Sequence, residues 1–146
     1  MPFRILALAL LLPLVASAGE KKSIPPAPKP LPAGVREISL EEADKLIRDR
    51  PEVAVLDVRT PEEFEEQGHL PRARLVDFLR EDFAPALATL KLDPAKPCVV
   101  YCAIGGRARR AAETMAQLGF QEILLPKGSF KAWKEAGKTI EGGRKK

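Results

Sequence analysis

Cysteine, glycine and arginine come together over Cys102-Ala103-Ile104-Gly105-Gly106-Arg107-Ala108. Cys102 closes the apolar run Cys98-Val99-Val100-Tyr101, and a helical stretch from Arg107 to Leu118 follows the loop. Three effects converge on the sulfur. The loop N–H groups can point at one centre, with Gly105 and Gly106 admitting unusual backbone angles. The helix N-terminus contributes about half a positive charge. Arg107 adds a full one, with Arg109 and Arg110 close by in sequence. All three favour thiolate over thiol. A sulfur anion cradled by backbone donors is a nucleophile suited to an anionic substrate. The plainer reading, a buried inert cysteine at a strand end, has no use for two glycines and an arginine.

The elements that must hold this loop are legible from period and punctuation. Val53 to Val58 is a continuous apolar run rich in β-branched residues and reads as a buried parallel strand. Cys98 to Cys102 and Glu122 to Leu125 read as two more. Ser39-Leu40-Glu41-Glu42 and Thr60-Pro61-Glu62-Glu63 each fit a capping box, the second with proline at the first helical position. Helices are therefore expected after Ser39, from Thr60 through Gln67, around Phe83 to Leu90, from Arg107 to Leu118 and from Phe130 to Ala136. Strands spaced by helices imply an α/β layer fold with a mainly parallel central sheet flanked by helices. Ligands in such folds bind beyond the carboxyl ends of the strands, where Cys102 lies. Asp57 and Arg59 occupy another strand's carboxyl end and are expected to brace the Cys102 loop by hydrogen bonding. Cys98 and Cys102 are four residues apart on one strand. At ~3.3 Å per residue their Cα atoms lie roughly 13 Å apart, beyond the ~7 Å limit for a bridge. Cys98 is expected to be an inert core residue.

With these residues in view, the chain resembles a single-domain rhodanese, a sulfurtransferase domain. Residues 102–108 are similar to the family's C-x-x-G-x-R-[AS] loop. Leu56-Asp57-Val58-Arg59-Thr60-Pro61-Glu62-Glu63-Phe64 matches L-D-V-R-x-x-x-E-[FY], and Gly68-His69-Leu70-Pro71 matches G-H-[IL]-P. Lys127-Gly128-Ser129-Phe130-Lys131-Ala132-Trp133 resembles G-G-[FIW]-x-x-W. Two departures, Arg72 and Ser129 where glycine is usual, are expected to lie outside the active loop and to leave it unaffected.

The resemblance implies a rhodanese-like fold and a two-step exchange through a Cys102 persulfide. The sulfane sulfur comes from a donor such as thiosulfate and passes to cyanide or a thiol, with a protein acceptor as a further candidate. Ala103, Ile104, Gly105, Gly106 and Arg107 would bind the donor, Arg107 through its oxyanion, and no metal or organic cofactor is implied. His69 is structural in this pattern, and Trp133 is expected to pack in the core. The related cysteine phosphatases need C-x5-R, which would place arginine at 108, where Ala108 stands. A noncatalytic sulfur-carrier, sensing or protein-docking module is the alternative, and the presence of Cys102 argues against it.

Composition bounds the rest. The 146 residues suffice for one domain, and two cysteines allow no disulfide framework. One histidine argues against a His-built metal site. The net charge of +4 is uneven: +4 falls in residues 1–36, +3 in Arg144-Lys145-Lys146, and −3 in residues 37–143. A domain of that balance is not expected to bind nucleic acid. Residues 1–18, with Arg4 ahead of an apolar stretch and Ala16-Ser17-Ala18 at its end, read as a secretory signal peptide. The apolar run is shorter than the ~20 residues that span a bilayer, so the mature chain should start at Gly19 without a membrane span, exported to a periplasmic or extracellular space. Residues 19–36 hold Pro25, Pro26, Pro28, Pro30 and Pro32 and read as an extended linker. The domain is expected over 37–143, with a basic tail at 144–146.

Overall fold

The computed structural model describes residues 25–144. The expected signal peptide and the start of the expected linker lie outside the described residues, as do Lys145 and Lys146. Ten elements alternate along the chain: β1 Val35–Ile38, α1 Leu40–Asp49, β2 Ala54–Asp57, α2 Pro61–Gln67, β3 Arg74–Leu75, α3 Phe83–Thr89, β4 Cys98–Tyr101, α4 Gly106–Gln117, β5 Ile123–Pro126 and α5 Ser129–Glu135. The five strands form one sheet in the order β1-β5-β4-β2-β3, and every pairing is parallel.

Strand alternation sorts the core into two layers. Cys98, Val100 and Cys102 face one side of β4, packed with Ala108, Ala111, Ala112 and Met115 of α4 and Phe83 and Leu87 of α3. Val99 and Tyr101 face the other, with Ala43 and Ile47 of α1 and Phe130 and Trp133 of α5. Both faces of β4 are therefore covered, which is why its sequence is apolar without alternation. Among the described residues no helix is long and apolar enough to cross a membrane.

The sheet places the site. From β2 the chain moves outward to β3, and from β4 it moves outward the other way to β5, so the carboxyl ends of β2 and β4 flank a topological switch point. Into that crevice come the loop after β4 and the start of α2.

Several expectations need correction. Two strands, β1 and β3, escaped the sequence reading. Each is an edge strand with exposed positions, and β3 has two residues. The domain begins before residue 37, because β1 starts at Val35 and Leu31 of the proline-rich segment packs on the core. Lys29 is also held, its carbonyl accepting from the Arg109 guanidinium. At the other end, Arg144 is tied to α2 through its N–H on the Glu66 carbonyl at 3.1 Å. The box at Ser39 is half-formed. Its hydroxyl accepts from the Glu42 N–H at 3.0 Å, but the Glu42 carboxylate turns away to Arg36 at 2.9 Å. The box at Thr60 is complete.

Arg72 has a use that a glycine would lack. Its φ of 61° is in the left-handed region, and its guanidinium donates to the carbonyls of Ile47 at 2.7 Å and Arg50 at 3.3 Å. It thus satisfies carbonyls at the C-terminal end of α1 that the helix leaves open.

Candidate functional site around Cys102

Cys102 follows the last residue of β4 and is 1% exposed. Its backbone is clamped by the start of α5. The Cys102 N–H donates to Ser129 Oγ at 3.0 Å, the Cys102 carbonyl accepts from the Phe130 N–H at 3.0 Å, and the Ala103 carbonyl accepts from the Lys131 N–H at 2.9 Å. Ser129 thus lies directly against the active loop, which corrects the expectation that this departure stands outside it.

The chain then turns back over the sulfur. Sγ accepts from the Gly105 N–H at 3.1 Å and from the Ala108 N–H at 3.4 Å. Ala108 is the third residue of α4, the position whose orphan amide a capping side chain ordinarily satisfies. The N-cap, Gly105, has no side chain to do so. The thiol sulfur takes that place, at the positive end of a 12-residue helix. The Gly106 and Arg107 amides, in the same first turn, have no hydrogen-bond partner among the described residues. Gly105 is required by its φ of 116°. Gly106 is not: it has no positive φ, and a Cβ there would meet open space. The expectation that both glycines supply unusual angles holds for Gly105 alone.

Arg107 is placed differently from the expectation of a free oxyanion ligand. Its guanidinium makes a bidentate pair with Glu63 of α2, at 2.7 Å and 2.9 Å. Glu63 also completes the Thr60 capping box, accepting from the Thr60 N–H at 3.0 Å. The hydrogen bonds from Arg107 hold the Glu63 carboxyl down at about 2. Arg107 therefore fastens α4 to α2 across the mouth of the site, its charge already matched.

Asp57 and Arg59 are fully buried and lie beneath the crevice rather than in it. The Arg59 guanidinium pairs with Asp57 at 2.7 Å and donates to the Gly68 carbonyl at 2.6 Å. Tyr101 Oη donates to Asp57 at 2.6 Å and accepts from the Leu70 N–H at 3.0 Å. Burial, reinforced by the Asp57 carboxylate, pushes the Tyr101 hydroxyl up and keeps it a donor. The two residues brace the Gly68–Leu70 turn and, through Tyr101, the strand leading to Cys102. They do not bond the Cys102 loop itself, which corrects the expected contact.

His69 is occupied structurally, with Nδ1 2.9 Å from the Leu70 carbonyl and its ring stacked on Phe64 at 4.0 Å. Trp133 is buried in the core, with Nε1 donating to the Thr139 carbonyl at 2.9 Å. Cys98 and Cys102 are both unpaired. Burial pushes the Cys98 thiol up to about 12, leaving it a neutral core residue. Ile104, by contrast, stands 72% exposed at the loop tip. Position 108, where a cysteine phosphatase would need arginine, holds a buried alanine.

Three contributors were missed in sequence: Glu63, Ser129 and Tyr101. Glu63 was visible as a capping residue, but nothing local announces its bond to Arg107. Ser129 was visible as a departure from glycine, without its target.

Known proteins resemble this chain in sequence and in fold. The rhodanese-like domain matches residues 39–136. The thiosulfate sulfurtransferase GlpE of Coxiella burnetii is 28% identical over 114 residues, covering 75% of this chain and 96% of that protein. A sulfurtransferase of Allochromatium vinosum is 28% identical over 106 residues, covering 73% of this chain and 94% of that protein. Among solved structures, the polysulfide-sulfur transferase homodimer from Wolinella succinogenes superposes with a TM-score of 0.63 at 31% identity, covering 73% of this chain and 78% of that one. The fold, the loop around Cys102 and these relatives together place the chain in the rhodanese-like domain family.

Proposed function

We propose that the protein is an exported sulfurtransferase that carries a sulfane sulfur on Cys102. The observation that carries this reading is the pair of backbone N–H groups on Sγ, from Gly105 at 3.1 Å and Ala108 at 3.4 Å. Such donors stabilise negative charge on sulfur without metal or cofactor. In the first step the Cys102 thiolate attacks the outer sulfur of thiosulfate. The new S–S bond forms as the bond to the sulfonate sulfur breaks, and sulfite leaves with the electron pair. The product is a Cys102 persulfide anion. In the second step cyanide or a thiolate attacks the terminal sulfur, and the Cys102 thiolate departs with the pair.

The unpartnered Gly106 and Arg107 amides are available to receive the outer sulfur of a persulfide. Arg107, matched by Glu63, acts on position more than on charge. The loop has four residues between Cys102 and Arg107, fewer than the related phosphatases use to bind three phosphoryl oxygens.

The test is steady-state turnover of thiosulfate to cyanide, read as thiocyanate. Wild type and Cys98→Ala should turn over and Cys102→Ser should not. Hydrolysis of an aryl phosphate by the wild type, lost in Cys102→Ser, would overturn the reading in favour of a phosphatase. Thiosulfate left untouched, with Cys102 intact and the protein folded, would favour the sensing or docking module instead.

A further inference from the structure

Ile104, at the tip of the Cys102 loop, is the most exposed large apolar side chain among the described residues. Handling an inorganic anion gives no reason for it. On one side Ile104 borders a cleft of about 610 Å³ with Ala103 and Phe130 in its lining and Lys131 and Lys134 at its rim. On the other it borders a cleft of about 230 Å³ that reaches Ser129 and includes Lys127 and Arg109. Glu135 and Glu37 are the carboxylates of these two clefts, so cations outnumber anions around the loop. Lys127 and Lys134 form no ion pair among the described residues, and Lys131 reaches Glu135 at a loose 3.9 Å. An apolar knob ringed by cations complements a partner with an apolar patch and carboxylates around it.

We propose that the sulfur acceptor is an acidic protein thiol, with an apolar residue beside its cysteine that covers Ile104 and carboxylates that face Lys127, Lys131 and Lys134. This rests on the reading of Cys102 as a sulfur carrier. The acceptor thiolate attacks the terminal sulfur of the Cys102 persulfide. The S–S bond to Cys102 breaks, the Cys102 thiolate leaves with the pair, and the acceptor departs as its own persulfide. No further reactant is consumed.

The test uses the mature protein, loaded with thiosulfate and freed of excess donor. Single-turnover transfer is followed to synthetic peptides that carry one cysteine beside a leucine, flanked either by glutamates or by lysines. Dithiothreitol, a neutral thiol, is the reference acceptor. The glutamate peptide should take the sulfur about tenfold faster than the lysine peptide at low salt, and the gap should narrow as salt rises. Lys127→Glu combined with Lys134→Glu should erase that preference while leaving transfer to dithiothreitol within about twofold of wild type. Replacing the peptide leucine by serine should slow transfer from the wild type and have no effect on Ile104→Ser. Equal rates for the two peptides, or a double variant that loses dithiothreitol transfer in the same proportion, would overturn the acceptor assignment while leaving sulfur transfer intact. Failure of thiosulfate to load Cys102, seen before any peptide is added, would overturn both.

Discussion

Arg107 and Glu63 tie α4 to α2 beside Cys102. Their bidentate pair is partly buried and charge-assisted, with a net worth of about 1–2 kcal/mol after solvent screening. The Glu63 carboxyl sits at about 2, below its ordinary 4.5. A depressed carboxyl contributes stability that is complete above its unfolded value and lost as pH falls through the folded one. Glu63→Gln should therefore lower stability by about 1–2 kcal/mol at neutral pH, as read by denaturant unfolding. The gap between wild type and variant should close as pH falls from about 4.5 toward 2. A gap constant across that window would mean that folding does not depress the Glu63 carboxyl. The two cysteines separate at the same scale, because Cys98 is a neutral thiol in apolar surroundings and Cys102 receives two amides. Cys98→Ala should cost stability and spare turnover, and its loss of turnover without unfolding would point to a dithiol route.

At the scale of elements, the β4–loop–α4 unit does the positioning, and its two glycines are not equivalent. Gly105 adopts φ 116° and has open space around it, so an added Cβ there is penalised by backbone strain rather than by a clash. Gly105→Ala should lose about 1–3 kcal/mol in thermal or chemical unfolding. Gly106 opens α4 without positive φ, and Gly106→Ala should be neutral or stabilising by up to about 1 kcal/mol. Equal losses for the two would refute the assignment of strain to Gly105. This unit was legible in sequence because all its cues are local: an apolar run, a glycine-bearing loop and a helical period within Cys98 to Leu118. The contacts around it were not. Glu63 lies 44 residues from Arg107, and Ser129 lies 27 from Cys102. No spacing rule links such positions; only the parallel order of the sheet does. The edge strands β1 and β3 were missed for another reason. They have few buried positions, so hydrophobic period has little to act on.

In the whole molecule a rhodanese-like domain follows a proline-rich segment and a proposed export signal. If residues 1–18 are the proposed export signal, cleavage after Ala16-Ser17-Ala18 should leave Gly19 as the N-terminus, and the terminal sequence of protein recovered from outside the cytoplasm checks it. A chain there that starts at Met1 would show that the segment is kept. The parallel sheet brings the carboxyl ends of β2 and β4 together, and α5 clamps the loop from the far side. Everything built there serves one atom, Cys102 Sγ. The most direct test is therefore the intact mass of the mature protein after exposure to thiosulfate, followed by peptide mapping without reductant. One added sulfur atom is expected, located on Cys102, released by cyanide as thiocyanate and absent from Cys102→Ser. An unchanged mass, or the added sulfur on Cys98, would contradict it.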